Sequence, residues 1–245
     1  MTLAAAALAL LAAQQPDDPL LSEAALAANE YRAQLPDFLC RQVLDRGVSP
    51  HRRVKWQHVD NITSEVAYEQ GHEVHRSIVR AGKPVSEVED LLDQGPWSEG
   101  EWGHVLGNVF DPDVRTTFLD AGPYSIKGSR GRKYTFAVLE ARSRWQITAG
   151  RRTVLPAYSG TVWVDAKSRK VVRLQKEARG LPDDFPLDVV ELDLDFGWVT
   201  IEGKRYLLPV RTASLVCHRE QWRCNLNVTV FRDHRKFEAQ SRIVP

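Results

Sequence analysis

Neither sign of charge predominates in this sequence. Its 33 Lys and Arg residues stand against 32 Asp and Glu, a formal net charge of +1. A general polyanion binder needs a basic excess, so a nucleic-acid partner is not expected, and nothing supports electrostatic docking on an anionic membrane. Long apolar runs are missing as well. The longest, Leu3 to Ala13, holds about eleven residues and is too short to span a bilayer. Methionine occurs once and cysteine three times in 245 residues. There is no internal repeat, low-complexity tract or interdomain linker, which suits one large domain. Catalytic signatures are scarce too. No serine lies in G-x-S-x-G, and the basic stretch from Lys127 to Lys133 lacks the P-loop pattern.

The short apolar run has a use. Followed by Gln14-Gln15-Pro16-Asp17-Asp18, with small residues at Ala12 and Ala13, it suits a secretory signal over residues 1–13. Export to the periplasm or beyond is the expectation, with residues 14–245 as a single domain. No cysteine follows the run, so a lipid anchor is not expected. In an oxidising compartment Cys217 and Cys224, which flank a six-residue segment, form the preferred disulfide. Cys40 is then a small buried residue.

Alternation dominates what is present. Val190, Leu192, Leu194 and Phe196 alternate with Glu191, Asp193 and Asp195, the mark of a strand with one buried face. Tyr158, Gly160, Val162 and Val164 share one parity before it. Val172 and Leu174 belong together, and Tyr206, Leu208 and Val210 share a face after Glu202-Gly203. Further strands are read at Phe38–Leu44, Val54–Val59, Ile62–Glu69, His72–Val79, Thr116–Leu119, Tyr134–Ala141, Trp145–Ala149, Leu215–Cys217, Cys224–Phe231 and Lys236–Ile243. Asp18-Pro19 opens a helix striped by Leu21, Ala24, Ala28, Tyr31 and Leu35. Capping boxes at Ser86/Glu89 and Ser98/Glu101 open two more. The last presents Trp102, Val105, Leu106, Val109 and Phe110 on one face, with Gly100, Gly103 and Gly107 allowing close approach. The fold class is α+β: a long curved antiparallel sheet of ten to thirteen strands, with two or three helices against one face.

Candidate chemistry is weighed against packing. His72-Glu73-Val74-His75 is not HExxH, and on a strand His72 and His75 point to opposite faces, so they cannot share a metal. Asp188, Glu191, Asp193 and Asp195 form a row that does not converge on a cation and reads as a solvated outer face. A Cys40 nucleophile requires a partnering histidine that the sequence does not place. No metal, cofactor or catalytic residue is assigned. The aromatics Trp56, Trp97, Trp102, Phe110, Phe136, Trp145, Trp163 and Phe196 are chiefly core, and a sheet with helices on one face can enclose an apolar cavity.

Gly160 to Asp165, Arg173-Leu174, Phe196 to Val199 and Tyr206-Leu207-Leu208-Pro209 carry a resemblance to the outer-membrane lipoprotein-sorting (LolA/LolB-like) superfamily of periplasmic lipoprotein carriers. Leu35 to Gln42, Trp97 to Pro112, Pro156 to Asp165 and Lys236-Phe237 resemble a group of uncharacterised exported bacterial proteins. The superfamily resemblance implies an unclosed β-barrel whose helices cover a cavity for acyl chains. It makes the chain a non-enzymatic carrier-like protein with a lipid or acyl-chain ligand and an envelope protein as possible partner. The floor and lid of such a cavity would be Trp102, Leu106, Phe110, Val162, Val164, Leu174, Leu192, Leu194 and Phe196. Two rivals stand beside it: an envelope interaction module with a solid core and, more remotely, a hydrolase.

Overall fold

The computed structural model describes residues 18–85, 104–126 and 128–237. The apolar leader, both capping boxes and Trp102 fall outside these. Asp18 caps the first helix, α1 (Pro19–Glu30), and its carboxylate accepts from the Leu20 amide at 2.9 Å. Leu21, Ala24 and Ala28 form the buried stripe. A single 3-10 turn over Arg32–Gln34 follows. The second helix, α2 (His104–Phe110), buries Val105, Leu106, Val109 and Phe110. The described residues therefore hold two α-helices, not two or three.

The described residues also hold thirteen strands, in chain order β1 (Phe38–Ser49), β2 (Gln57–Glu69), β3 (His72–Arg80), β4 (Lys83–Pro84), β5 (Thr117–Ile126), β6 (Ser129–Val138), β7 (Ile147–Ala149), β8 (Arg152–Val154), β9 (Ala157–Asp165), β10 (Val171–Arg179), β11 (Leu187–Ile201), β12 (Lys204–His218) and β13 (Cys224–Lys236). Eleven form one open antiparallel sheet in the order β4-β3-β2-β1-β13-β12-β11-β10-β9-β6-β5, and β7 and β8 make a separate hairpin. The last strand returns to pair with the first, Phe38 opposite Lys236 and Ser49 opposite Cys224. Two-residue turns at Gln70-Gly71 and Glu202-Gly203 have both residues at positive φ, the geometry that suits right-twisted hairpins.

Several expectations change in the structure. Of Val54–Val59 only Gln57 to Val59 belongs to a strand, as the start of β2. Arg52, Arg53 and Lys55 sit at positive φ, which breaks extended pairing, and β2 runs unbroken from Gln57. Within the basic stretch, Ser129 to Lys133 belong to β6. A register shift between Asp195 and Phe196 adds a residue and resets the parity of β12. Leu207 thus joins the helix-facing cluster, while Leu208 packs with Phe38, Cys40, Val66, Tyr68 and Phe231. The acidic row is half-buried rather than simply solvated. Asp188 pairs with Arg52, Glu191 with Arg53 at 2.5 Å, and Asp193 and Asp195 with Arg173 at 3.5 Å. Cys217 and Cys224 face each other across β12 and β13 and form the disulfide.

One cross-strand row organises the helix-facing side. Phe118, Phe136, Gly160, Lys176, Leu192, Ser214, Asn227, Arg46 and Asp60 stand opposite one another in turn on nine successive strands. Opposed residues of an antiparallel pair share a face. Towards β5 the row is aromatic. Towards β2 it is polar: the Arg46 guanidinium grips Asp60 with two hydrogen bonds of 2.7 Å, and Arg80 adds one of 2.6 Å. Gly160 is required where it stands. A Cβ there would overlap the Gln175 carbonyl oxygen and lie 2.7 Å from the Phe136 ring.

Two predictions follow from this row. Gly160→Ala should lower stability by about 1–3 kcal/mol in urea unfolding, the usual range for overpacking; a neutral result would mean the two strands yield freely. The Arg46 and Arg80 hydrogen bonds hold the Asp60 carboxyl below the usual carboxylate range. Its contribution is therefore complete above the unfolded carboxyl's pKa and lost as pH falls through the depressed value. Asp60→Asn should cost about 3–5 kcal/mol near neutrality and flatten the acid limb of the stability profile. An unchanged acid limb would reject the role.

Candidate functional site

The helices lie on the half of the sheet formed by β5, β6 and β9 to β11. Leu21, Ala24, Ala28 and Tyr31 of the α1 segment and all four buried residues of α2 enter one cluster with Phe118, Phe136, Tyr158, Val162, Val164, Leu174, Leu192, Leu194 and Phe196. Tyr31 meets Phe196 edge to face, with ring centroids 5.9 Å apart. Burial of this surface, at about 25 cal/mol per Å², is what holds helix to sheet.

Polar links add to this, among them Thr116 Oγ1 donating to the Val109 carbonyl at 2.5 Å and Arg169 pairing with Glu23 at 3.3 Å. The Tyr134 hydroxyl donates to the Asp18 carboxylate at 2.5 Å, and the Tyr158 hydroxyl donates to the Asn108 carbonyl. Burial drives the Tyr134 phenol far up from its ordinary pKa and the Tyr158 phenol to about 12, so both remain donors across the physiological range. Asn29 donates to the Phe110 carbonyl at 3.2 Å and joins the two helices.

A groove of about 400 Å³ opens at the helix–sheet seam. Ala25 of α1, Val109 and Phe110 of α2, and Thr117 and Phe118 of β5 line it, with Asp111, Pro112 and Arg115 at its rim. From its wall an aromatic track leads inward. Phe110 stacks on Phe118 at 5.3 Å, Phe118 meets Phe136 at 6.2 Å, Phe136 meets Tyr158 at 6.4 Å, and Tyr158 meets Trp145 at 5.6 Å.

The track ends at a charge. Lys176 is 4% exposed, and its ammonium lies 3.9 Å from the centre of the Trp145 ring and 5.5 Å from that of Tyr158. No carboxylate pairs with it among the described residues. Burial pulls its amine down to about 7.

Of the nine residues expected to line a cavity, Trp102 is outside the described residues. The other eight come together: Leu106 and Phe110 from α2, and Val162, Val164, Leu174, Leu192, Leu194 and Phe196 from the sheet. None is more than 9% exposed, and only Phe110 also borders the seam groove. Sequence reasoning missed Lys176. Its signal was available, since it lies two positions beyond the inward Leu174, where parity turns it towards the helices. The partnership of Arg46 with Asp60 had no comparable signal, because it depends on the register between β1 and β2.

Other candidates fall apart. His72 is exposed and His75 half-buried, on opposite sides of β3. His75 is 3.4 Å from the Ser64 hydroxyl, and burial pulls its imidazole down to about 4. Cys40 shares a row with His75, but Val66 stands between them on β2. No helix of the described residues is long and apolar enough to cross a membrane.

No protein-family model matches the sequence, and no curated protein matches it. Solved structures do. The chain is similar to a DUF1329 family protein from Desulfovibrio piger, at 12% identity over 91% of this chain and 95% of that one, with a TM-score of 0.44. It is similar to a putative outer membrane lipoprotein-sorting protein domain from Vibrio parahaemolyticus, at 9% identity over 91% and 93%, with a TM-score of 0.40. A LolA superfamily protein from Nitrosomonas europaea aligns at 10% identity over 92% and 96%, with a TM-score of 0.35.

Proposed function

We propose that the chain is an exported, non-enzymatic binding protein that holds a lipid or other apolar ligand between its sheet and its helices. The seam groove carries this reading. It has the volume of a small-molecule site, and Ala25, Val109, Phe110 and Phe118 line it together with Asp111, Arg115, Thr116 and Thr117. It opens directly onto the cluster that the helices share with the sheet. Attachment of the helices chiefly by apolar contact gives an acyl chain a surface of matching chemistry to enter. An envelope protein that delivers or receives the ligand would complete the role.

A second reading, an envelope interaction module with a solid core, is favoured by one observation. The eight described residues of the expected cavity are already packed against one another.

Uptake measurements separate the two. Protein purified from its own host should carry a bound apolar mass in native mass spectrometry and take up a fluorescent fatty acid. Ala25→Trp, which fills the groove, should cut that uptake about tenfold with little change in the unfolding midpoint. A clean apo mass together with no uptake would overturn the binding reading and leave the solid module.

A further inference from the structure

An ammonium in an apolar layer is costly unless something brings it a countercharge. The Arg46 guanidinium has Asp60 opposite it on the next strand. Lys176 has Gly160 and Leu192 opposite it, and its immediate sequence neighbours Gln175 and Glu177 lie on the other face of β10. What the described residues offer the ammonium is ring faces, from Trp145 and Tyr158. A cation–π contact offsets part of the desolvation but leaves the charge itself unneutralised. The side chain is not at a sheet edge, where it could reach water. It stands in the middle of the nine-strand row, where the helix-facing cluster meets the apolar cluster of Ile147, Phe185, Leu187, Val190 and Val216, and Trp145 packs against both.

We propose that Lys176 is the anchor for the carboxylate of a monoanionic amphiphile, with Trp145 and Tyr158 as the collar around its head and the Phe136–Phe118–Phe110 track as the bed for its apolar chain. The proposal rests on the apolar-ligand reading above and names the headgroup. The rings touch one after another from the seam groove to the ammonium and are all buried, so a chain that parts the helices from the sheet along them ends at Lys176. One lysine neutralises one negative charge, which fits a carboxylate better than a doubly charged phosphate. The amine, held near neutral pKa by burial, becomes fully charged when a carboxylate arrives beside it. The residue after Trp145, Gln146, borders a second groove of about 760 Å³.

Calorimetry with oleate and with oleyl alcohol, both below their aggregation limits at pH 7, tests this. Wild-type protein should bind oleate about tenfold or more tightly than the alcohol. Lys176→Met, an unbranched apolar replacement suited to the site, should abolish that preference by weakening oleate far more than the alcohol. Lys176→Gln carries the same comparison if the methionine variant does not fold. Equal affinity of the wild type for both ligands would overturn the anchor while leaving the apolar-ligand reading intact. Equal loss of both ligands in a folded variant would overturn it too, since that is the mark of a packing role. Failure of the wild type to bind either ligand would sink both proposals.

Discussion

Side chains directly opposite on antiparallel strands share a face, and that constraint ties Phe118 on one flank of this sheet to Asp60 near the other. Once nine strands are in register, the chemistry of the helix-facing side is set as a gradient. Aromatic rings occupy one end, an isolated ammonium the middle, and a bidentate ion pair the far side. The helices settle on the aromatic end because their own stripes, Leu21-Ala24-Ala28 and Val105-Leu106-Val109, carry no polar group to match the other. Their placement follows from the sheet's side-chain order, with the Tyr134–Asp18 and Tyr158–Asn108 hydrogen bonds fixing orientation.

Much of this was legible before any coordinates. Val190 to Phe196 and Tyr158 to Val164 gave the correct inward parity, because a strand with one buried face must alternate. Asp18-Pro19 and the Cys217/Cys224 spacing located a helix start and a disulfide from local chemistry alone. Parity failed where the backbone departs from a plain ladder. The shift at Asp195/Phe196 put Leu207 and not Leu208 on the helix-facing side, and the left-handed residues Arg52, Arg53 and Lys55 delayed to Gln57 the strand that Val54 and Val59 had suggested. The acidic row illustrates a different gap. Alternation placed Glu191, Asp193 and Asp195 outward, but their arginine partners lie on other strands or in a distant turn, and only register brings them together. The same holds for the site. An inward lysine could be read from parity, whereas the Trp145 and Tyr158 rings around it could not.

The sheet handles its two buried cations in opposite ways. Arg46 is internally satisfied: a planar guanidinium with fixed donors finds a planar carboxylate on the neighbouring strand. Such a pair specifies register and resists substitution on either side. Lys176 has a flexible stem, a point charge and neighbours that are apolar or aromatic. The first arrangement is complete within the chain. The second leaves one charge for a visitor, and Gly160 opposite it keeps the Phe136 ring close to that place.

The pairing of β1 with β13 has a kinetic consequence. The strand at the junction of the two halves of the sheet cannot acquire its second neighbour until the C-terminal end of the chain is present, since Phe38 waits for Lys236 and Ser49 for Cys224. Each half can form by short hairpins, β1 to β4 on one side and β9 to β13 on the other. Joining them closes a loop of nearly the whole chain, at an entropic cost that local contacts do not share. Folding of the intact sheet is thus a late, all-chain event, and until it occurs β1 and β13 remain exposed edges.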